Sequence, residues 1–446
     1  MIKNLVVLLL ISNCSLVYAQ TIKTDVLVIG GSASGVAAAI QSAHSKVKTV
    51  LAMPDSSLDN FKMNGTVSVD ANRNIPSGIW GEFRKRVQDL YKNKPGYDTA
   101  YNAPLKFETE TALSILKKMA DTTKNLTVYV NALFSSIKKD GDKWDVLITQ
   151  AGKTVKIITR VVVDATDDGV VAVKAGAKLL AAGQQIDYTG TKLYRTAIAS
   201  AEAIPGQVLN QGDTFKNNSG PDQAKFTPIS SVLVKDADNI LYIAEALPAN
   251  KNIQELPLQL EVGQGAGAMA AFCAFFKTTT AHLNVRIIQG ELLDFKGYLL
   301  PFSDIKQTDP AWRAIQQVGA TGMLRGNWQV HDDKANFVFK PGALVSTAEV
   351  EPVLTEIYTR AFLWFSKEKP GEKFTLGNLL SFISDYTLTE PVVLKARIQK
   401  EWKTLYKFEP YFDLNRQVTR REFAVLANKF LNPFARTVDL SGRMIN

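Results

Sequence analysis

The chain has 446 residues, of which 46% are hydrophobic and 21% are charged. This composition is typical of a folded globular protein, excludes a disordered or fibrous chain, and at this length allows two or three domains. Lysine and arginine outnumber aspartate and glutamate by 52 to 43, but the basic residues are spread along the sequence. Because no basic stripe with interleaved aromatic residues is present, we expect no nucleic-acid partner.

Residues 1–19 have the features of a secretory signal peptide. Lys3 supplies the basic start, residues 5–11 form an apolar core, and small-residue cleavage geometry ends at Ala19. The apolar run is shorter than the roughly 20 residues that a membrane anchor needs. We therefore expect a secreted, periplasmic or cell-envelope protein without a transmembrane span once the signal is removed. Lipid attachment at Cys14 is the alternative.

The next stretch, DVLVIGGSASGVAAAI, predicts a strand, a glycine-rich turn and a helix. The strand is of the kind buried in a parallel sheet, and the N–H groups of such a turn, together with the positive helix end, bind phosphate. Gly30 permits the tight turn, and Gly35 lets the helix lie against the sheet. Ser32 stands where the backbone approaches a pyrophosphate, although its hydroxyl and that of Ser34 can donate to a phosphate oxygen. The alternative is a turn with a structural role only.

Helices and strands alternate beyond this turn. Helices are predicted in ETETALSILKKMADTT and in IPSGIWGEFRKRVQDLYKN, where Ile79, Phe83, Val87 and Leu90 recur at helical spacing. Strands follow in LTVYVNALF, KWDVLITQ and VKIITRVVVDAT, the middle ones joined by the turn KDGDK. The fold class predicted is α/β, with a Rossmann-like parallel sheet and an antiparallel β insertion.

A second section continues the α/β pattern to about residue 285. The first short β-like piece is TKLYRTAIAS, and after the loop NQGDTFKNNSG the second is ISSVLVK. NILYIAEAL and VGQGAGAMAAFCAFFKTT follow. The last of these reads as a glycine-rich turn that runs into an apolar helix. The third section is predicted to be mostly helical. The domains expected are therefore the signal 1–19, an α/β domain 20–285 and a helical domain 286–446.

Four ordered segments resemble the secreted bacterial FAD-dependent oxidoreductases of the glutathione-reductase-like superfamily. They are GGSASG, SLDNFKMNGTVSVDANRNIPSGIWGEFRKRV, VVVDATDDGVVAVKAGA, which is similar to a strand ending in ATGDG, and DNILYIAEAL with VGQGAGAMAAF. The resemblance spans residues 22–280. It implies an FAD-binding fold, FAD as cofactor, and oxidation of a small molecule or carbohydrate.

The resemblance also implies which residues contact FAD. A helix N-terminus formed around the glycine-rich segment of residues 263–267 would stabilise charge on the reduced flavin, unless these small residues serve helix packing instead. Glu245 falls near the ribityl chain. The pyrophosphate would lie against the turn and the next strand end. The full set is Gly30, Gly31, Ser32, Ser34, Gly35, Ala165, Thr166, Asp168, Glu245, Gly263, Gln264 and Gly265.

Three residues depart from the family pattern. Ser32 replaces a glycine, Met53 stands where a ribose-binding acid is expected, and Asp167 stands where the family has glycine. An Asp167 carboxylate about 5 Å from a pyrophosphate charge would cost roughly 3 kcal/mol, and much less if it faces solvent. These departures motivate a rival hypothesis, a non-catalytic envelope-associated protein that keeps the fold but has lost FAD.

Catalytic residues cannot be assigned from the sequence. The three histidines, His44, His282 and His331, lie in no acid/base or metal-ligand pattern, so no metal is expected. Cys273 lies in an apolar helix, which favours an inert buried thiol over a redox centre. Once the signal is removed Cys273 is also the last cysteine, so an intramolecular disulfide is excluded.

The C-terminal section resembles S-layer-homology modules. LPFSDIKQTDPAWRAIQQVGATGMLRGN with FVFKPGALVSTAEVEPVLTEIY reads as one copy, and FEPYFDLNRQVTRREFAVLANKF as a partial second. In the second copy Thr419 is predicted to cap a helix with Glu422 at its third position, with Phe423 and Leu426 facing inward. The resemblance implies an anionic cell-envelope polymer as partner. The alternative is a helical cap with a purely structural role.

Overall fold

The computed structural model describes residues 20–54, 65–179, 191–202, 225–247, 253–331 and 334–445. The strands, in chain order, are β1 (Gln20–Lys23), β2 (Val26–Ile29), β3 (Thr49–Ala52), β4 (Thr66–Val69), β5 (Leu105–Glu108), β6 (Leu126–Tyr129), β7 (Ala132–Asp140), β8 (Lys143–Gln150), β9 (Lys153–Thr159), β10 (Val161–Asp164), β11 (Ala197–Ala201), β12 (Lys225–Pro228), β13 (Ile240–Tyr242), β14 (Asn327–His331) and β15 (Lys334–Val338).

The helices, in chain order, are α1 (Ala33–His44), α2 (Gly78–Tyr91), α3 (Thr109–Thr122), α4 (Val170–Lys174), α5 (Thr191–Thr196), α6 (Leu256–Phe276), α7 (Val285–Asp294), α8 (Trp312–Thr321), α9 (Thr347–Ile357), α10 (Ala361–Glu368), α11 (Leu376–Thr387), α12 (Pro391–Glu401) and α13 (Arg420–Phe430). Within the described residues, none of these helices combines the length and the apolar character that crossing a bilayer would require.

A five-stranded sheet with order β13-β10-β2-β3-β6 forms the centre of the α/β part, and its neighbouring strands pair in parallel. Alternate side chains of a strand point to opposite faces, so Val26 and Val28 join one hydrophobic cluster while Leu27 and Ile29 join another. Helices α1, α3 and α6 contribute to the first cluster. The second cluster includes Trp144 and other residues of an antiparallel sheet. The predicted fold class is confirmed.

The antiparallel insertion has the strand order β1-β9-β8-β7, with β1 added to its edge in parallel with β9. The sequence run VKIITRVVVDAT, predicted as one strand, divides at Arg160 into β9 and β10. These two strands belong to different sheets, so the chain passes at Arg160 from the insertion into the central sheet. The predicted turn KDGDK joins β7 to β8 at Gly141, whose φ is +56°.

Several predicted elements differ from the observed ones. TKLYRTAIAS begins as helix α5 and only its second half is strand β11, and ISSVLVK opens with a 3₁₀ turn, Ile229–Val232. Leu90 is 58% exposed, because α2 instead buries Tyr91 at the end of its apolar stripe. The loop NQGDTFKNNSG lies outside the described residues.

The largest difference between the predicted and the observed elements is at helix α6. VGQGAG does not form a turn before a helix; it lies in the interior of α6, whose first residue is Leu256. The glycines allow α6 to touch α1, since a Cβ on Gly263 would lie 2.1 Å from the Ser34 carbonyl oxygen and one on Gly267 would lie 2.4 Å from that of Ala38. The predicted helix N-terminus at Gly263 is therefore wrong, and the packing alternative describes these glycines.

The C-terminal section contains α8 to α13 and a hairpin of β14 and β15. Three of its helices begin at hydroxyl caps, Ser346, Thr375 and Thr419, and the segments that carry these caps are bridged to one another. The predicted capping box of Thr419 and Glu422 is confirmed. Phe423 and Leu426 are also buried as predicted.

The C-terminal section packs directly on the α/β part. Arg195, which is 2% exposed, donates from both terminal nitrogens to Glu356 of α9 at 2.7 Å and from Nε to the Thr321 carbonyl at 3.0 Å. One hydrophobic cluster runs from Val26 to Val438. The domain boundary at residues 285 and 286 stays a prediction.

The α1 to α6 contact predicts opposite effects for two helical glycines. Gly263→Ala should lower the free energy of unfolding by about 1–3 kcal/mol, because the new methyl group meets backbone. Gly290→Ala, in α7, has nothing within 4 Å of the added Cβ and should raise stability by up to about 1 kcal/mol. Urea unfolding followed by circular dichroism measures both. A Gly263→Ala protein as stable as Gly290→Ala would contradict the close approach.

Candidate functional site

The glycine-rich turn connects β2 to α1 at the carboxyl edge of the central sheet. The chain leaves β2 toward β3 on one side and leaves the neighbouring strand β10 toward β13 on the other, and such a switch point is where open α/β sheets bind ligands. Gly30 has φ +123°, and a Cβ there would lie 2.5 Å from the Ala165 carbonyl group. A Cβ on Gly35 would lie 2.7 Å from the Gly30 carbonyl oxygen. Only glycine fits at either position.

Ser32 acts as the N-cap of α1. Its Oγ accepts a hydrogen bond from the Gly35 N–H at 3.1 Å and donates to the Ala165 carbonyl at 3.2 Å. Ser34 Oγ lies 3.0 Å from Ser32 Oγ, and both side chains are buried. Because the Ser32 hydroxyl donates its proton to the Ala165 carbonyl, it does not donate to a ligand in this arrangement. The groups that can bind an anion here are the backbone N–H groups of the first turn of α1.

The strand end beside the turn is fixed by an aspartate that the sequence analysis did not select. Asp164 is fully buried and accepts hydrogen bonds from Thr166 N at 3.0 Å, from Thr166 Oγ1 at 2.6 Å and from Ala172 N at 2.8 Å. Burial raises the pKa of this carboxyl group, against the effect of those donors. Asp164 thereby joins the end of β10 to the start of α4 and holds Ala165 against Gly30.

Two further acidic residues follow Asp164, and both are exposed. Asp168 Oδ1 accepts from the Val170 N–H at 3.2 Å, and the Asp167 carbonyl accepts from the Tyr242 hydroxyl at 2.9 Å. Because the Asp167 side chain is exposed to solvent, the electrostatic repulsion considered for it largely disappears.

An apolar cavity lies at the end of β3, where the ribose acid is expected. Met53 is 6% exposed and lines a cavity of about 140 Å³ with Val36 of α1 and with Val128 and Val130 at the end of β6. Ligand pockets for whole cofactors measure roughly 300–1,000 Å³, so this cavity suits one end of a larger molecule. Residues of α3 complete it, namely Leu113, Ser114, Lys117, Ala120 and Asp121.

The remaining predicted residues separate into two groups. Glu245 lies in the 3₁₀ turn Ala244–Ala246 that follows β13, at the same edge of the sheet as the glycine-rich turn. Gln264, in contrast, lies inside α6, where its Oε1 accepts from Ile79 N at 3.1 Å and its Nε2 donates to Gln41 Oε1 at 2.9 Å. A Cβ on Gly265 would lie 2.9 Å from Ile198. Gln264 and Gly265 thus join α6 to its neighbours.

A buried polar network, missed from the sequence, surrounds the first half of α6. Glu261 is 2% exposed and accepts from Asn72 Nδ2 at 2.7 Å and from Ser200 N at 3.3 Å. The Asn72 side-chain oxygen accepts in turn from Glu202 N at 2.8 Å, and both Glu202 oxygens accept from Asn74. Burial raises the pKa of Glu261 well above the ordinary carboxyl range and also raises that of Glu202. A glutamate inside the apolar run LQLEVGQGAG was the available signal.

His44, His282 and Cys273 lie apart from the edge of the sheet that carries the glycine-rich turn. His44 stacks on Phe295 with ring centroids 5.3 Å apart, and burial lowers its pKa. His282 is exposed at the end of a 3₁₀ turn and contacts Thr279. Cys273 is fully buried, which raises its thiol pKa to about 12. Among the residues with described positions, no cluster of histidine, cysteine or carboxylate groups could hold a metal ion.

The order strand, glycine turn, helix and second strand end matches a known family. The model of the FAD dependent oxidoreductase family matches residues 25–251, just over half of the chain. The chain belongs to this family. No protein with a curated description matches the sequence.

Several solved structures are similar to the chain at low identity. AlpK is 15% identical, with 68% of this chain and 69% of that chain covered and a TM-score of 0.36. The OxyS anhydrotetracycline hydroxylase of Streptomyces rimosus is 12% identical, with 68% and 69% covered and a TM-score of 0.35. The p-nitrophenol 4-monooxygenase PnpA of Pseudomonas putida is 13% identical, with 67% and 92% covered and a TM-score of 0.31.

FAD is the cofactor of the FAD dependent oxidoreductase family and of this chain. The residues fit it, because Gly30 and Gly35 leave no room for side chains where the turn meets Ala165, and an apolar cavity opens at Met53. The first turn of α1 would hold the diphosphate, and the cavity suits the adenine end. These observations favour an FAD-binding protein over the rival that has lost FAD.

The buried Glu261 predicts a distinctive pH dependence of stability. Its raised pKa means that the folded chain holds a proton that the unfolded chain releases above about pH 4.3, so the free energy of unfolding falls as pH rises toward the folded pKa. Glu261→Gln resembles the protonated form and should lose less stability between pH 5 and pH 8. Denaturant unfolding across that range provides the measurement, with the exposed Glu351→Gln as control. Parallel pH profiles for the wild type and Glu261→Gln would contradict a shifted group.

Proposed function

We propose that the protein is an exported oxidoreductase that uses FAD to oxidise a small molecule or carbohydrate. The observation that carries this proposal is the close packing of Gly30 on the Ala165 carbonyl, with a Cβ distance of 2.5 Å, at the switch point of the central sheet. A side chain at this point would push the turn away from the end of β10, and the N–H groups of the first helical turn would no longer be held at the switch point, where a diphosphate would bind. The family match supports the class of reaction.

The protein residues supply binding and orientation. When bound, FAD supplies the ring that accepts a hydride from the substrate. Ser32 fixes the first turn of α1 by capping Gly35, and Asp164 fixes the adjacent strand end through Thr166 and Ala172. The Ser32 hydroxyl and the Asp164 carboxylate both bond to groups of the protein itself. The backbone groups that would bind the diphosphate are therefore held in place before FAD binds.

Export is proposed from the sequence of residues 1–19, whose basic start, apolar core and small-residue cleavage position at Ala19 are those of a secretory signal peptide.

A cavity in the C-terminal section supports a second role, binding of an anionic envelope polymer. The cavity measures about 370 Å³ and lies between α10, α11 and α12. Two of its lining acids already have basic partners, because Glu368 lies 3.5 Å from Lys367 and Asp385 lies 3.7 Å from Arg360. Lys395 also lines the cavity and forms no ion pair with any described residue, which leaves a positive charge for an anionic group.

The arginines of the module-like segments support the structural alternative instead. Arg421 donates from two nitrogens to Asp309 at 2.6 and 2.7 Å, and Arg420 pairs with Glu349. Arg416 donates in the same bidentate way to the buried Glu422. These groups hold the helices together, so an envelope polymer would have to bind elsewhere, at the cavity of Lys395.

FAD binding is tested by absorption spectroscopy of the purified protein after incubation with FAD and desalting. We expect flavin bands to survive desalting. Ser32→Ala removes the cap of α1 and should weaken FAD binding about five-fold, the equivalent of a cap contribution of about 1 kcal/mol. Ser346→Ala removes a comparable cap from α9, far from the turn, and should leave FAD affinity unchanged. A folded protein that shows no flavin bands would refute the proposed function.

Polymer binding is tested by retention of the full chain on isolated envelope polymer at low ionic strength. Retention should fall for Lys395→Met and stay unchanged for Lys400→Met, which alters an exposed lysine of the same helix outside the cavity. No retention of the wild type, or equal retention of both variants, would leave the C-terminal section with the structural role alone.

A further inference from the structure

Arg84 of α2 is a buried cation that makes no hydrogen bond to a carboxylate in the described part of the chain. The residue is 3% exposed. Its Nη2 donates to the carbonyl oxygens of Tyr101 at 3.1 Å and Ala103 at 2.6 Å. Its Nη1, with two N–H groups, is buried and has no hydrogen-bond partner. Leaving a buried charged donor without a hydrogen-bond partner is unfavourable, so an acceptor at Nη1 would stabilise Arg84.

The neighbouring acid does not satisfy Arg84. Glu202 lies close enough to interact electrostatically with the guanidinium. Both of its oxygens, however, accept hydrogen bonds from Asn74, from N at 3.1 Å and from Nδ2 at 3.0 Å. Arg73, the other basic neighbour, is paired with Asp70 at 3.1 Å. Glu202 therefore interacts with Arg84 through its charge, while its hydrogen-bonding oxygens are occupied by Asn74.

Arg84 belongs to the same polar region as the first half of α6. The Asn72 backbone oxygen accepts a hydrogen bond from Trp80 Nε1, one turn before Arg84 on α2. The Asn72 side chain donates from Nδ2 to Glu261 and accepts at Oδ1 from Glu202 N. Glu261 precedes by two residues the glycine that touches Ser34 in the first turn of α1. Hydrogen bonds thus connect the neighbours of Arg84 to Glu261, and the backbone packing of Gly263 on Ser34 connects this part of α6 to the glycine-rich turn.

We propose that Arg84 recognises a carboxylate on the substrate through Nη1. The inference rests on the proposed oxidoreductase function and narrows its substrate to a small molecule that bears a carboxylate. A carboxylate matches the donor geometry of a guanidinium and would supply the hydrogen-bond acceptor that Nη1 lacks. Tyr101, whose carbonyl accepts from Arg84, is 45% exposed, so solvent reaches a residue in direct contact with Arg84.

The test compares two probes of the same shape, benzoate and its neutral analogue benzamide. Isothermal titration calorimetry on the wild-type full chain, before and after loading with FAD, should show benzoate binding at least about tenfold more tightly than benzamide. Arg84→Met should remove that preference. Arg86→Met, which removes a half-buried arginine of the same helix paired with Glu82, should keep it. Inorganic phosphate, as a third probe, should compete weakly.

Each outcome decides the proposal. Equal affinity of the wild type for benzoate and benzamide, or equal loss of preference in Arg84→Met and Arg86→Met, overturns it. Phosphate competing as well as benzoate overturns the assignment to a carboxylate. If circular dichroism shows that Arg84→Met does not fold, Arg84→Lys and the wild-type comparison still decide. Benzoate binding without flavin bands would refute the proposed function alone, and flavin bands without a benzoate preference would refute this inference alone.

Discussion

The contact of two helix backbones, α1 and α6, is the constraint on which the rest of the structure depends. The Ser34 and Ala38 carbonyl oxygens lie where side chains of Gly263 and Gly267 would otherwise be, and Ser42 Oγ donates to the Gly267 carbonyl at 3.0 Å. With no space for side chains between them, the position of α6 fixes the position of the first turn of α1. The same turn is held from the other side by Ala165. The glycine-rich turn is therefore held by a helix on one side and a strand end on the other.

Buried polar side chains near this edge have hydrogen-bond partners within the protein. Asp164 and Ser32 hold backbone groups, and Glu261 holds Asn72 and Ser200. A buried polar group without a partner is unfavourable. Arg84 lies beside the Glu261 network, and its Nη1 has no partner, which distinguishes it from these groups.

The sequence predicted the parts of the site that depend on local patterns. The apolar strand, Gly30, Gly35 and the capping box of Thr419 each follow from the chemistry of a few neighbouring residues. Contacts between distant segments could not be predicted in this way. A glycine-rich segment such as the one around Gly263 is typical both of a turn and of a helix that packs closely on another helix. Only the contact with Ser34 distinguishes the two. Ser32 was assigned to a phosphate because its carbonyl partner, Ala165, lies 133 residues further along the chain. Asp164, Glu261 and Arg84 were missed for the same reason, since each is defined by burial and by groups far away in sequence.

The separation of these contacts along the chain sets the order in which the site can be assembled. Ser32 meets Ala165 across 133 residues, and Ser42 meets Gly267 across 225. Contacts of such long range form late, because the intervening chain must first be brought together. During synthesis the nucleotide cradle is thus incomplete until Gly267, in the middle of α6, has been added. FAD can therefore join the chain only after most of the α/β part has been synthesised.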